Sequence, residues 1–179
     1  MKRKTSQRSS RRSFSKALIV AGFSLGFSPG FFRSTIRAQT SVPLKIGIIG
    51  SGRIGGAVGL RWAEAGHQLL FSSRNPDALT DLVNQAGASA SAGYPADAAT
   101  FGDIVFIAVP YAALPQVGRD FSPLMRGKIV IECGNPVPER DGPMANDAIA
   151  KGTGVASAEF LPGVRLVRAF NAVSFVAVN

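Results

Sequence analysis

The sequence predicts an α/β fold built on a doubly wound parallel sheet, and three observations carry that expectation. From Leu44 onward, short apolar runs of β type alternate with helical patterns, as they do where parallel strands are covered by helices. A glycine-rich stretch, KIGIIGSGRIGGAVG, falls at the junction of the first run and the first helical pattern. Length is the third: 179 residues less a 38-residue leader leave 141, which suits one domain with a proper core.

In chain order, strands are expected at about 44–49, 68–73, 104–109, 128–132 and 164–169, with a weaker one near 89–92. Helices are expected between them at 54–65, 77–85, 95–100 and 155–160, with a short turn after Pro110. In such a sheet ligands collect at the carboxyl ends of the strands. Residues just after a strand therefore stand on the working edge, and residues just before one do not.

The glycine stretch places Gly50-x-Gly52-x-x-Gly55 between strand and helix. Gly50 permits the tight turn, Gly52 lets the backbone approach a pyrophosphate, and Gly55 lets the helix pack closely on the sheet. The helix amino terminus adds unpaired N–H groups and the positive end of a dipole. Together these features predict a Rossmann-type NAD(P)-binding domain, against the alternative of a glycine turn with a purely structural purpose.

The second strand ends LLFSSRNPD. Where an NAD-specific site carries an acid for the ribose 2'-hydroxyl, this chain has Ser72, Ser73 and Arg74. A guanidinium there can make charge-assisted hydrogen bonds to a 2'-phosphate, with Ser73 as a second donor, which favours NADP(H). The competing reading of Arg74 is a solvated charge in the turn before Pro76.

Ahead of this domain the chain opens MKRKTSQRSSRRSFSKALIV. Nine of the 20 Lys and Arg residues precede Ala38 while all 11 Asp and Glu follow it, so the net charge of +9 belongs to the leader. The rest is close to neutral, which removes the electrostatic basis for binding nucleic acid. The apolar stretch at 17–32 is diluted by three glycines, broken by Pro29 and too short for a membrane span, which needs roughly 20 apolar residues. Basic run, apolar run and a small residue, Ala38, at the cut form the pattern of an export signal. Arg11-Arg12 within Ser-Arg-Arg-x-Phe-x-Lys makes it look like a twin-arginine signal. The alternative is a disordered basic tail beside an uncleaved anchor. The expected organisation is thus a signal at 1–38, a linker at 39–43 and the nucleotide-binding domain at 44–179, delivered to the periplasm or beyond, with no stable membrane span after signal removal.

The lone Cys133 excludes a disulfide within the chain, and one His with one Cys cannot supply a zinc site, so no metal is expected. Cys133 ends a strand and reads as a packing residue. His67, just before a strand, reads as a surface turn residue on the edge opposite the cofactor. Trp62 reads as core packing on the first helix. On the same helix, Arg61 either lays its stem along apolar surface or meets a partner with its head.

These residues have a familiar combination. GSGRIGGAVG, the strand end SSR, IAVPY at 107–111 and AFNAV at 169–173 resemble the NADP oxidoreductases that use the 8-hydroxy-5-deazaflavin coenzyme, and related domains of metalloreductases. The resemblance implies hydride transfer between NADP(H) and a small-molecule electron acceptor, a deazaflavin, flavin or similar ring stacked beside the nicotinamide. Such a transfer needs ring alignment more than a general acid or base, and no catalytic side chain is assigned.

Carried over by position, the resemblance gives Ser51, Arg53 and Ile54 contacts to the pyrophosphate and nearby ribose, and Ser73 and Arg74 the 2'-phosphate. Val109 and Pro110, Asn135 and Pro136 would line the nicotinamide, with Ala169 to Asn171 closing the same edge. Tyr111 stands where some members place Trp, and Arg119 is the next basic residue after Arg74. Asn179 follows Asn171 by eight residues, whereas the family continues with elements that complete the acceptor pocket and a homodimer contact. An alternative expectation is therefore a non-catalytic NADP-binding module, or a truncated remnant completed by a partner. A third is a fragment of a sugar or hydroxy-acid dehydrogenase.

Overall fold

The computed structural model describes residues 42–178. The expected signal at 1–38 and the start of the expected linker, 39–41, lie outside the described residues.

Six strands form one sheet: β1 (Lys45–Ile49), β2 (Gln68–Ser72), β3 (Ala90–Gly93), β4 (Ile104–Ile107), β5 (Ile129–Glu132) and β6 (Arg165–Arg168). Their order is β3-β2-β1-β4-β5-β6, and every pairing is parallel. The order reverses between β1 and β4, and the crevice at such a switch point is where doubly wound sheets bind nucleotides. The predicted fold class is the one observed.

Alternation along each strand supplies two cores. Ile46 and Ile48 of β1, Leu69 and Phe71 of β2 and Phe106 of β4 bury themselves on one face, under α1 (Arg53–Glu64) and α2 (Thr80–Ala86). Ile49 of β1, Val105 and Ile107 of β4 and Val130 of β5 face the other way. That second face is covered by α3 (Pro95–Phe101), α4 (Leu114–Met125), α6 (Pro143–Lys151) and α7 (Thr153–Phe160), after the single turn α5 (Pro138–Asp141). The last described element, α8 (Phe175–Val178), returns to α1.

The sequence-based expectations differ from this structure in three places. The stretch 77–85 is a 3-10 turn, Pro76–Leu79, followed by α2 rather than one helix. The expected short turn after Pro110 is a 3-10 turn, Tyr111–Ala113, that runs into the twelve-residue α4. LPQVGRDFSPLM reads as broken because it holds two prolines and a glycine, yet each is accommodated. Pro115 sits in the first turn, where no N–H is needed. A Cβ on Gly118 would overlap the carbonyl oxygen of Phe160, so glycine lets α4 lie against α7. Pro123 breaks the ladder near the helix end, where burial of Leu114, Val117 and Met125 offsets the lost bond. Finally, α5 and α6, which open on Pro138 and Pro143, and α8 fall where no element is expected. Both prolines start a helix, the position that favours them.

Candidate functional site

The carboxyl edge of the sheet begins at Gly50, which takes a φ of +94° that only glycine adopts without strain. The chain turns there and enters α1 through Gly52, whose carbonyl accepts the N–H of Gly56 at 2.7 Å. No side chain caps this helix and its first turn carries no acid. Its amino-terminal N–H groups and dipole are thus left to whatever anion approaches. A Cβ on Gly52 would meet nothing within 4 Å, so the open surface begins at this residue. Gly55 has the opposite surroundings: a Cβ there would overlap the carbonyl oxygen of Gly50.

Ser51 ties the glycine turn to the neighbouring strand. Its N–H donates to the Ser72 carbonyl at 3.1 Å, and its Oγ accepts the Ser72 N–H at 2.9 Å. Ser72, fully buried, donates its hydroxyl to the Ile48 carbonyl at 2.7 Å. Directly after it, Ser73 donates its hydroxyl to the Asn75 carbonyl and accepts the Asn75 N–H, at 2.6 and 2.9 Å. Ser73 therefore shapes the turn, and serving as a donor to a phosphate would require its hydroxyl to rotate away from Asn75. Arg74 is exposed at the crest of that turn, and among the described residues no carboxylate pairs with it.

A cleft of about 680 Å³ joins these parts. Gly50, Ser51, Gly52, Ser73, Arg74, Val109 and Pro110 all line it, with Pro95 and the α4 residues Val117 and Phe121 as apolar walls. Half of the fourteen predicted site residues thus share one concave surface. The others divide. Ile54 packs its side chain into the core beneath α1, and Gly55 is buried, so each offers a ligand only its backbone. Arg53 lies with its guanidinium 5.0 Å from the ring of Phe175, over a second groove between α1 and α2. Asn135, Pro136, Ala169 and Asn171 stand further along the edge, after β5 and β6, where Asn135 Nδ2 donates to the Asn171 carbonyl at 2.6 Å.

Several charged residues of this edge were missed by sequence reasoning. Glu132, at the end of β5, is 2 % exposed and pairs with Arg168 of β6 at 2.7 Å. Asp141 has a fully buried carboxylate that binds Arg140 and accepts the N–H groups of Val137 and Ala112 at 2.9 and 3.3 Å. The Arg140 guanidinium pulls its pKa down from 3.8 to about 2. It staples the turn after β4 to the segment after β5. Phe170 adopts a φ of +67°, unusual for a bulky residue, while its ring meets Trp62 and Phe106 edge to face at 6.1 and 5.7 Å. Only the buried glutamate had a signal in the sequence, as an acid closing an otherwise apolar strand.

The remaining side chains behave as expected. Cys133 donates weakly to the Ile107 carbonyl at 3.5 Å, and burial pushes its pKa up to about 12, with the Glu132 charge adding to the effect. His67 lies on the opposite edge, its Nδ1 accepting the Leu44 N–H at 3.3 Å. The Arg61 guanidinium donates to the Val178 carbonyl and to Glu64, at 2.8 and 2.7 Å.

The family model described as NADP oxidoreductase, coenzyme F420-dependent, matches residues 45–136, just over half of the chain. The chain belongs to this family. The matched span of this NADP oxidoreductase domain runs from β1 to Pro136 and so includes the glycine turn, Arg74, Val109 and Pro110. Ala169 and Asn171 fall outside it. A hypothetical protein from Sinorhizobium meliloti is 28% identical, with a TM-score of 0.62 over 78% of this chain and 67% of that one. A putative F420-dependent NADP-reductase from Arthrobacter sp. FB24 is 20% identical, with a TM-score of 0.63 over 74% and 64%. An imine reductase from Myxococcus stipitatus, solved in complex with NADP+, is 19% identical, with a TM-score of 0.53 over 70% and 40%. The family member described here therefore spans about two thirds of the first two structures and well under half of the third. The last two likenesses concern the fold.

Proposed function

We propose that this domain binds NADP(H) along the carboxyl edge and exchanges a hydride between it and a deazaflavin, flavin or similar small-molecule acceptor. The observation that carries the reading is the single cleft that runs from the uncapped amino terminus of α1 to Arg74. Both ends suit phosphate: the α1 terminus a pyrophosphate, through backbone N–H groups from Gly52 to Gly55, and Arg74 a 2'-phosphate, through its guanidinium. NADP(H) supplies the hydride. The protein supplies alignment: Val109 and Pro110 form an apolar wall after β4 against which a ring would stack, and Asn135 and Asn171 offer amides to a carboxamide-bearing ring. Arg53 would reach the phosphates only by leaving Phe175.

The same proposal extends to the leader. Residues 1–38 act as a twin-arginine signal, 39–43 as a linker, and 44–179 as the domain that is exported. Because that route carries folded proteins, the nucleotide would be acquired before export. A homodimer, or a partner that completes the acceptor pocket, belongs to this reading as well.

The deciding experiment is a calorimetric titration of the purified protein with NADPH and NADH side by side. Tight binding of NADPH with weak binding of NADH is the expected result. Binding of neither would withdraw the oxidoreductase reading.

A further inference from the structure

Beneath the carboxyl ends of β5 and β6 lies a cluster of polar side chains to which the nucleotide reading assigns no task. Its centre is Glu132, 2 % exposed. Oε2 of Glu132 accepts from Arg168 Nε at 2.7 Å and from the Ser157 hydroxyl at 3.2 Å, while Oε1 accepts the Gly134 N–H. Arg168 reaches past the carboxylate, and its Nη2 donates to the Gly134 carbonyl at 2.5 Å. One ion pair thus holds both backbone polar groups of Gly134, the acid taking its N–H and the base its carbonyl.

The grip extends to two side-chain amides of this edge, exposed Asn135 and half-buried Asn171. Asn171 Nδ2 donates to the same Gly134 carbonyl at 3.0 Å, and Asn135 Nδ2 donates to the Asn171 carbonyl at 2.6 Å. On the other side Tyr111, fully buried after β4, shares a hydrogen bond of 3.1 Å with Ser157. A Cβ on residue 134 would stand 2.7 Å from Glu132 Oε1, so a side chain there would push the carboxylate aside. The segments that follow three adjacent strands are therefore connected through one buried charge pair.

A buried ion pair is seldom a better stabiliser than apolar side chains of the same volume. What it provides here, and apolar packing would not, is a fixed orientation of one peptide. We infer that Glu132 and Arg168 are positioning residues for the nicotinamide end of the site: they orient the Gly134 peptide and, through it, the amides of Asn135 and Asn171. Neither touches the nucleotide. The inference rests on the NADP(H) reading above.

The test compares two ligands on the full chain. NADPH spans the whole edge, whereas adenosine 2',5'-bisphosphate carries the adenosine and the 2'-phosphate without the nicotinamide half. Glu132→Gln should weaken NADPH by about tenfold, as expected for loss of a charge-assisted hydrogen bond, and leave the bisphosphate within about twofold. Arg168→Lys keeps a charge beside Glu132 but loses the reach to Gly134, so it should show the same split, and it carries the test if Glu132→Gln does not fold. Unchanged NADPH binding overturns the inference, and so does parallel weakening of both ligands, which would mark a merely structural pair. If the unaltered protein binds neither ligand, the NADP(H) reading itself fails and takes this inference with it.

Discussion

Gly55 lies directly against the carbonyl oxygen of Gly50, so that a Cβ at residue 55 would overlap it, whereas a Cβ at Gly52 would meet nothing within 4 Å. Two glycines of one motif thus serve different ends, the first in packing and the second in leaving a surface open. Gly55→Ala should lower stability by about 1–3 kcal/mol, because the helix must move off the turn. Gly52→Leu should leave the thermal midpoint nearly unchanged and abolish NADPH binding. Denaturation and titration of both variants check the pair, and equal affinity in Gly52→Leu would count against the pyrophosphate site.

Arg74 stands exposed with no carboxylate paired to it among the described residues. Arg74→Ala should weaken NADPH by about tenfold or more and NADH by less than about twofold, since only the former has a 2'-phosphate to lose. Its folding stability should stay within about 0.5 kcal/mol of the parent. Equal losses for the two nucleotides would argue for a general electrostatic effect.

Asp141 predicts an acid limb. Its pKa is lower folded than unfolded, about 2 against 3.8, so its contribution is complete above about pH 4 and disappears as the pH falls toward 2. Asp141→Asn should cost about 1–3 kcal/mol at neutral pH, from the hydrogen bonds to Arg140, Val137 and Ala112. The variant should also lose less stability than the parent between pH 4 and pH 2. Urea melts across that range would show it, and parallel pH profiles would refute it.

Cys133 should be nearly inert. With its pKa near 12, almost no thiolate is present at pH 8. A thiol reagent should modify the native protein about a hundredfold or more slowly than the denatured one. Rapid modification that blocked NADPH binding would place the thiol in the site instead.

Export is a separable prediction. Replacing Arg11 and Arg12 by Lys should keep the protein in the cytoplasm, as judged by fractionation, without altering the nucleotide affinity of the domain. Continued export would refute the twin-arginine assignment.

Much of this site was legible because its chemistry depends on local spacing. Gly50, Gly52 and Gly55 declare a turn, an approach and a close contact within six residues, and SSR follows a strand whose partner is already known. Such features require no knowledge of distant residues. The breakers misled wherever tertiary packing outweighed them: Pro115, Gly118 and Pro123 lie in one helix because Leu114, Val117 and Met125 bury a face against the sheet. Arg53 and Ile54 show the same limit, since one lies over Phe175 and the other enters the core, and neither contact can be seen in GSGRIGG.

The sequence by itself determined the alternation of strands and helices, the glycine turn, the basic residue in place of an acid and the concentration of positive charge in residues 1–37. These are properties of neighbours along the chain. Only the tertiary structure decided that Glu132, Arg168, Ser157 and Tyr111 would meet, because their partners lie 25 to 46 residues apart and are brought together by two parallel crossovers, β4 to β5 and β5 to β6. A buried charge is tolerated only beside its counter-charge, and that pairing exists only once β5 and β6 lie side by side.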